Sequence, residues 1–446
     1  MTITGGGAEQ ATAHGNDKRK EVRRVIFSGY LGSTIEFYDF LLYGSASALV
    51  FPTVFFGGLD PFTQVIFSFG TFAAGYLARP LGGVIFGHFG DRIGRKKMLV
   101  LTMFIMGLAS FLIGLVPGSA TIGGWAAIIL VALRVLQGIA VGGEWGGAAL
   151  MALEHAESRK RGFAASFVNA GAPSGALLGS LLLGLFALLP QEAFFNWGWR
   201  IPFLLSGILL AIGLWVRTRV SESPVFLAAM AQADKAERAR NPLPLWTVLR
   251  RPKALILTTL GAGAAFAFQV TMATFAQTYA VQNGTDRSSL LFGYSLASLL
   301  AVLGVVGAGW LSDRFGRRPV LVAGCLLWVV LTFPFFWMWG SGNAIIVTLG
   351  FIIGLQLQSL IYGPLGAFIS EQFGTGARYT GASLGYQLAT LLGGGFTPAL
   401  LATLFRNSGG QIYPVAIFLM VAGLISTVAV LAIREGRHND LSIVHN

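Results

Sequence analysis

The chain has 446 residues, 54% of them hydrophobic and only 11% charged, with 60 glycines. A soluble domain carries about 25% charged residues and about 7% glycine. A surface this poor in charge could not be solvated, which excludes a soluble multidomain enzyme. Disorder is excluded as well, because it needs low hydrophobicity. A polytopic membrane protein remains. The net charge of +12 does not point to nucleic acid, because the basic residues are scattered between apolar runs and not gathered on one domain. The single cysteine, Cys325, sits inside an apolar run and leaves no intrachain disulfide. Residues 1–24 are polar, and the first apolar run is long enough to span and remain, so no cleavable signal peptide is expected.

A membrane helix needs about 20 mostly apolar residues. Hydropathy gives about twelve such runs. The first six lie near 25–50, 63–87, 98–116, 122–147, 162–188 and 200–217. The second six lie near 254–280, 290–311, 320–340, 344–367, 380–404 and 412–433. Barrel strands are about ten residues long and alternate apolar with polar; these runs are longer and apolar all round. The expected organisation is a tail over 1–24, a six-helix bundle over 25–217, a central loop over 218–252, a second bundle over 253–434 and a tail over 435–446. Within the loop, 228–240 reads as a short amphipathic helix on the membrane face.

Basic residues set orientation. With both termini cytoplasmic, the inner segments hold nearly all of them, and the outer side keeps only Arg200, Arg287 and Arg406. The basicity is therefore a topology signal. The halves also echo each other. Gly90-Asp91-Arg92-Ile93-Gly94-Arg95-Lys96 follows the second span, and Ser312-Asp313-Arg314-Phe315-Gly316-Arg317-Arg318 follows the eighth. Glu154 and Arg161 precede span five at a spacing of seven, and Glu371 and Arg378 precede span eleven at the same spacing. Two parallel six-helix repeats related by an axis along the membrane normal are the plan of one transporter class.

Asp91-Arg92-x-Gly94-Arg95-Lys96 resembles the signature loop of the major facilitator superfamily. Four further segments resemble its metabolite:proton symporter branch: Glu36-Phe37-Tyr38-Asp39, Arg79-Pro80-Leu81-Gly82-Gly83, the run from Arg134 to Gly146, and Trp197-Gly198-Trp199-Arg200-Ile201-Pro202-Phe203. The likeness covers about Arg23 to Arg434. Within the branch the chain looks most like the shikimate transporters, through Gly82 to Met98 and the late run from Arg378 to Pro398. The resemblance implies an all-α membrane protein of 12 transmembrane helices, the major facilitator fold, working as a monomer in a bacterial inner membrane.

An ionisable group in the hydrocarbon layer is a functional hypothesis by default. Glu36, Asp39 and Tyr43 share one face of helix 1, and Arg134, Gln137 and Glu144 line up along helix 4. Two carboxylates about a turn apart cannot both ionise cheaply in a low dielectric. Asp39 is therefore expected to alternate between pairing with Arg134 when ionised and releasing it when protonated, with Glu36 as a second carrier or an acceptor. The resemblance implies the same pairing. A fixed salt bridge between two helices is the alternative. Arg79 and Glu144 lie at similar depth and are expected to pair near the cytoplasmic end; otherwise Arg79 docks a substrate carboxylate.

The remaining charges sit at the cytoplasmic ends. Asp91, Arg92, Arg95, Glu154 and Arg161 in one half, and Asp313, Arg314, Arg317, Glu371 and Arg378 in the other, are expected to form a gate of charge pairs that breaks when the halves rock. Candidates for the central cavity are Tyr43, Gln137, Asn169, Gln269, Gln356, Gln358, Tyr362, Tyr386 and Gln387, whose groups bind hydroxyls and carboxylate oxygens without adding charge. Interhelical hydrogen bonding is their other reading. The runs Gly142-Gly143, Gly146-Gly147 and Gly393-Gly394-Gly395 are expected to let helices pack closely and slide. The five histidines lie in loops or tails at no metal spacing, and no nucleotide motif occurs, so neither cofactor, metal nor catalysis is expected. The expected activity is uptake of a small organic acid such as shikimate with a proton. Its rivals are symport of a dicarboxylate, tricarboxylate, proline or betaine, and proton-driven drug export.

Overall fold

The computed structural model describes residues 6–93, 95–142, 160–218, 248, 250, 252–373 and 378–437, with side chains described from Phe27 onward except at 84, 87–96, 99, 217–218 and 378–379. Among them there is no strand. Twelve helical segments run in chain order: α1 (Gly6–Leu49), α2 (Pro61–Ile93), α3 (Arg95–Leu115), α4 (Trp125–Gly142), α5 (Arg161–Phe186), α6 (Gln191–Val216), α7 (Pro252–Gln282), α8 (Arg287–Phe315), α9 (Arg317–Trp339), α10 (Ala344–Ser370), α11 (Thr380–Asn407) and α12 (Tyr413–Ala432). Backbone polar groups have no water to bond in hydrocarbon, so apolar runs of this length close their hydrogen bonds internally as helices. The outward faces carry side chains suited to lipid: Leu303, Val330, Trp337 and Ile345 are each at least 70% exposed.

Helices outrun the apolar segments at several ends. α2 continues to Ile93, so Gly90 to Ile93 form its last turns and not a loop. The matching segment Ser312 to Phe315 ends α8, and Gly316, at φ +102°, makes the turn into α9. That left-handed backbone is open to glycine and strained for other residues. The amide of Ser289 and the hydroxyl of Ser288 both donate to Asp286 at the start of α8, an N-cap that holds this carboxyl below the usual range. Several crossings are interrupted: α5 at Ala170, α10 at Gly363-Pro364, and three more. α6 begins with a π turn at Phe194–Gly198, α7 breaks at Thr274, and α11 has a π turn at Leu391–Gly395, where the three consecutive glycines lie.

Glycine sets how closely the backbones approach. A side chain at Gly82, Gly138 or Gly142 would run into the backbone of the facing helix in the α2–α4 pair. Gly175 does the same for α5 against α1, and Gly393 for α11 against α7. The two halves repeat this plan, each packing its first helix on its fifth. They then meet along α5–α8 and α2–α11. Gly162 on α5 lies on Gly309 of α8, and Ser180 and Ser295 share a 2.8 Å hydrogen bond farther along. On the other seam Tyr76 of α2 packs on Gly394 and Gly395.

Gly138→Val should remove the folded protein, or destabilise it by about 3 kcal/mol or more, since the facing atom is a backbone carbonyl that cannot rotate away. Gly307→Ala, where an added Cβ meets nothing within 4 Å, should be neutral or stabilising by about 0.5 kcal/mol. Thermal unfolding of the detergent-solubilised variants separates the two cases.

Candidate functional site

The centre of the molecule holds two arginines against one ring. Arg134 on α4 and Arg79 on α2 are 1% and 3% exposed. Each places its guanidinium carbon 4.3 Å from the centroid of Phe40 on α1. Arg134 also lies 4.1 Å from the ring of Tyr43 and 5.0 Å from that of Phe72, and Arg79 lies 4.4 Å from that of Tyr76. Helical periodicity makes this possible: Phe40 and Tyr43 are three apart on α1, and Phe72, Tyr76 and Arg79 recur at steps of four and three on α2. Tyr43 is held in place by donating to Thr71 Oγ1 at 2.7 Å.

Ring contacts are worth about 0.5–2 kcal/mol each, whereas burying an ion costs several kcal/mol. The rings therefore do not fully compensate the two cations. The donors show the same deficit: Arg134 Nε and Nη2 and Arg79 Nε are buried without hydrogen-bond partners. Arg134 Nη1 donates to Gln137 Oε1 at 3.0 Å.

Asp39, also on α1, lies within electrostatic reach of Arg134 and takes a bond from another helix. Ser206 of α6 donates to its Oδ1 at 2.6 Å, and its Oδ2 has no hydrogen-bond partner. No ion pair joins Asp39 to Arg134 in this arrangement of the described residues. The connection is indirect: Gln137 Nε2 donates to Ser110 Oγ at 2.6 Å, and the Ser110 hydroxyl stands beside the Asp39 carboxyl. Glu36 is 5% exposed and lies near the hydroxyls of Tyr362 and Tyr386, which are 3.3 Å apart.

The second half supplies the opposite wall. Phe266 of α7 packs edge-on to Tyr362 and Tyr386, with centroids 6.1 and 5.0 Å away. Asn169 Nδ2 donates to Tyr362 O at 2.9 Å, and Gln387 Nε2 to Gly142 O at 3.4 Å, so both bond across the halves. Gln358 donates to Ala265 O within its own half at 3.4 Å, and Gln269 is buried on α7. Gln356 instead packs against Gly304 of α8.

A second cluster closes the face that carries the basic loops. Asp313, near the end of α8, accepts from the amides of Gly162 and Phe163 at 2.9 and 2.8 Å. One half thus caps the first turn of a helix in the other, where free amides and the helix dipole favour an anion. Arg317 pairs with Asp313 at 2.6 Å and with Glu371 at 3.2 Å, and it is 1% exposed. Arg161 is buried close to Glu371, across the same seam. Arg314 is exposed, with its guanidinium 5.9 Å from the Trp310 ring and 5.6 Å from the Phe315 ring, so it stands apart from the cluster. The expected gate members Asp91, Arg92, Arg95, Glu144, Glu154 and Arg378 lie outside the described side chains. So does the pairing expected between Arg79 and Glu144.

Several contributors escaped the sequence reading. Phe40, Phe72 and Tyr76 look like ordinary apolar positions, and only their helical spacing to Arg79 could have singled them out. Ser110 and Ser206 carry no signal of their own. Glu435, assigned to a tail, accepts from the amides of Arg317 and Arg318 at 3.1 and 2.9 Å. An acid between Arg434 and Arg437 was the available clue. Among the described residues no three His, Cys, Asp or Glu side chains gather as a metal site would require.

Residues 40–398 match the profile of the Major Facilitator Superfamily, and the chain belongs to that family. The shikimate transporter of Escherichia coli strain K12 is 40% identical over 418 residues, covering 93% of this chain and 95% of its own. An inner membrane metabolite transport protein of the same strain is 39% identical over 447 residues, covering 97% and 100%. A crystal structure of a D-xylose-proton symporter superposes with a TM-score of 0.74 at 18% identity, covering 94% of this chain and 99% of that one; the likeness is one of fold. The chain is a multi-pass membrane transporter and not an enzyme.

Asp313→Ala should loosen the α5–α8 seam. A loss of about 1.4 kcal/mol raises the open population about tenfold. A cysteine placed at Ser166, which packs against Gly309, should then be alkylated about tenfold faster from the basic face. Cys325 is buried and adds little background.

Proposed function

We propose that this member of the superfamily is a proton-coupled symporter. It carries a small organic acid, shikimate or a related hydroxylated ring acid, into a bacterial cell across the inner membrane by alternating access. The basic face is cytoplasmic, as are both termini. The bundles over 25–217 and 253–434 are the rocking units.

One observation carries the reading: Arg134 Nε and Nη2 and Arg79 Nε, which no acceptor among the described residues answers. A carboxylate between them would supply acceptors and cancel charge at once, and charge-assisted bonds to guanidinium are the strong class. Tyr362, Tyr386 and Gln387 lie across from them with groups that suit hydroxyls. A zwitterion such as proline or betaine would bring its own cation to two arginines, which disfavours that substrate class.

Asp39 supplies the coupling. When protonated it satisfies itself through Ser206 and leaves Arg134 to the substrate. When ionised it draws on Arg134 through Ser110 and Gln137, and the substrate carboxylate is released. The absence of a direct Asp39–Arg134 ion pair supports the first of these states. Glu36, beside Tyr362 and Tyr386, is a second proton acceptor. Asp313, Arg317, Glu371 and Arg161 hold the cytoplasmic side shut while the site fills from outside.

The test is uptake of labelled shikimate into proteoliposomes under an inward proton gradient. Wild type should accumulate it, and Asp39→Asn should keep exchange but lose accumulation. Arg134→Gln should weaken apparent affinity about 10- to 100-fold, the value of a hydrogen bond to a charged group. No accumulation by folded wild type sinks the substrate, and competition with dicarboxylates and betaine then identifies the class. Gradient-independent accumulation sinks the coupling, and resistance with drug efflux sinks uptake.

A further inference from the structure

On the face away from the basic loops, a cleft of about 580 Å³ opens between the halves. Thr53, Gln191, Glu192, Phe195 and Asn196 line it from the first half, and Arg287, the first residue of α8, from the second. The sequence places only three basic residues on this face, and the structure gives two of them other work. Arg200 donates to Gly114 O and Val116 O at 3.0 and 2.6 Å, tying α6 to the end of α3. Arg406 stacks on the Phe62 ring at 4.0 Å, near Asp60.

Among the described residues, Arg287 has no backbone tie of the kind Arg200 makes. Its guanidinium carbon lies 5.3 and 5.0 Å from the rings of Phe194 and Phe195, and its Nε is buried with no hydrogen-bond partner. It makes no ion pair among the described residues. Glu192 shares the cleft without bonding it, and its neighbour Asp286 turns its carboxylate to the amide of Ser289 at 3.0 Å. A cation held against two rings, with an unanswered donor and amide and hydroxyl groups around it, is a binding surface for a small polar anion.

We infer that this cleft is an outer docking subsite, in which Arg287 captures the carboxylate of the organic acid, and Gln191, Asn196 and Thr53 its hydroxyls, before it passes to Arg79 and Arg134. The inference rests on the reading of the substrate as an anion. It adds a sidedness that the central site lacks. Charges at a rim act mainly on association rate and its salt dependence. Arg287 therefore speeds capture from outside and has no role in release or capture on the inside.

The experiment measures initial influx into cells, and efflux from preloaded cells, for wild type, Arg287→Gln, Arg287→Lys and Glu192→Gln. Arg287→Gln should raise the KM of influx about three- to tenfold and flatten its dependence on ionic strength, leaving the KM of efflux unchanged. Arg287→Lys should recover most of the loss, and Glu192→Gln should lower the influx KM. Equal changes in both directions would make Arg287 a clasp between the halves and overturn the proposal. So would an unchanged influx KM in Arg287→Gln. If wild type accumulates no organic acid at all, the substrate reading has failed and this subsite falls with it; normal wild-type uptake with symmetric variants fails the subsite alone.

Discussion

Arg79 and Arg134 against the Phe40 ring are the constraint to which the rest of the molecule answers. Two like charges stand in a region where each would cost several kcal/mol alone, and the local rings return only part of that. Everything nearby can be read as management of the remainder. Tyr43 and Phe72 wall Arg134, Tyr76 walls Arg79, and Gln137 takes one donor. Asp39 reaches the site through Ser110 and Gln137, with no ion pair to Arg134 among the described residues. A fold seeking only stability would have paired Arg134 directly with Asp39. Leaving donors open is the signature of a site that must hold something and then let it go.

The backbone is arranged to let that happen. Where the halves meet, the contacts include small residues and hydrogen bonds beside the charge cluster at Asp313: Gly162 on Gly309, Ser180 on Ser295, Tyr76 on Gly394 and Gly395. Within each half, helices are locked by still closer glycine-to-backbone contacts, as at Gly82, Gly138 and Gly393. Rigid halves that meet on small residues and breakable polar bonds are what rocking requires.

Much of this was legible in the sequence, and the division has a physical cause. Composition and run length gave the all-helical membrane fold, because hydrocarbon leaves the backbone few options. Matched spacing gave Asp313, Arg317 and Glu371 as a cluster, because a repeated acid and base at helix ends survive as one-dimensional patterns. Arg79 and Arg134 stood out as charges in apolar runs. Their aromatic walls did not, since Phe40 and Phe72 belong to the same alphabet as lipid-facing residues. Nor did the partner of Asp39. Charge complementarity nominates Arg134; this arrangement adds the Ser206 hydroxyl at Oδ1, and serines are too common in membrane helices to be singled out. Glu435 was hidden by its position after the last helix, where a tail is the default reading. Its role depends on α12 ending beside α9.

The seam at Asp313 has one more consequence. Its partners at Gly162 and Phe163 are main-chain amides. That half of the closure is made by the main chain, but it is not indifferent to sequence: a side chain at Gly162 would run into Arg317, Ser312 and the backbone of Gly309. Drift in sequence can retune the gate from the acid's side, by changing Asp313 or the Arg317 and Glu371 that steady it, while Gly162 is held to glycine by its neighbours. The amide side is inherited with the fold, as a lock whose keyhole is common property while the key is free to vary.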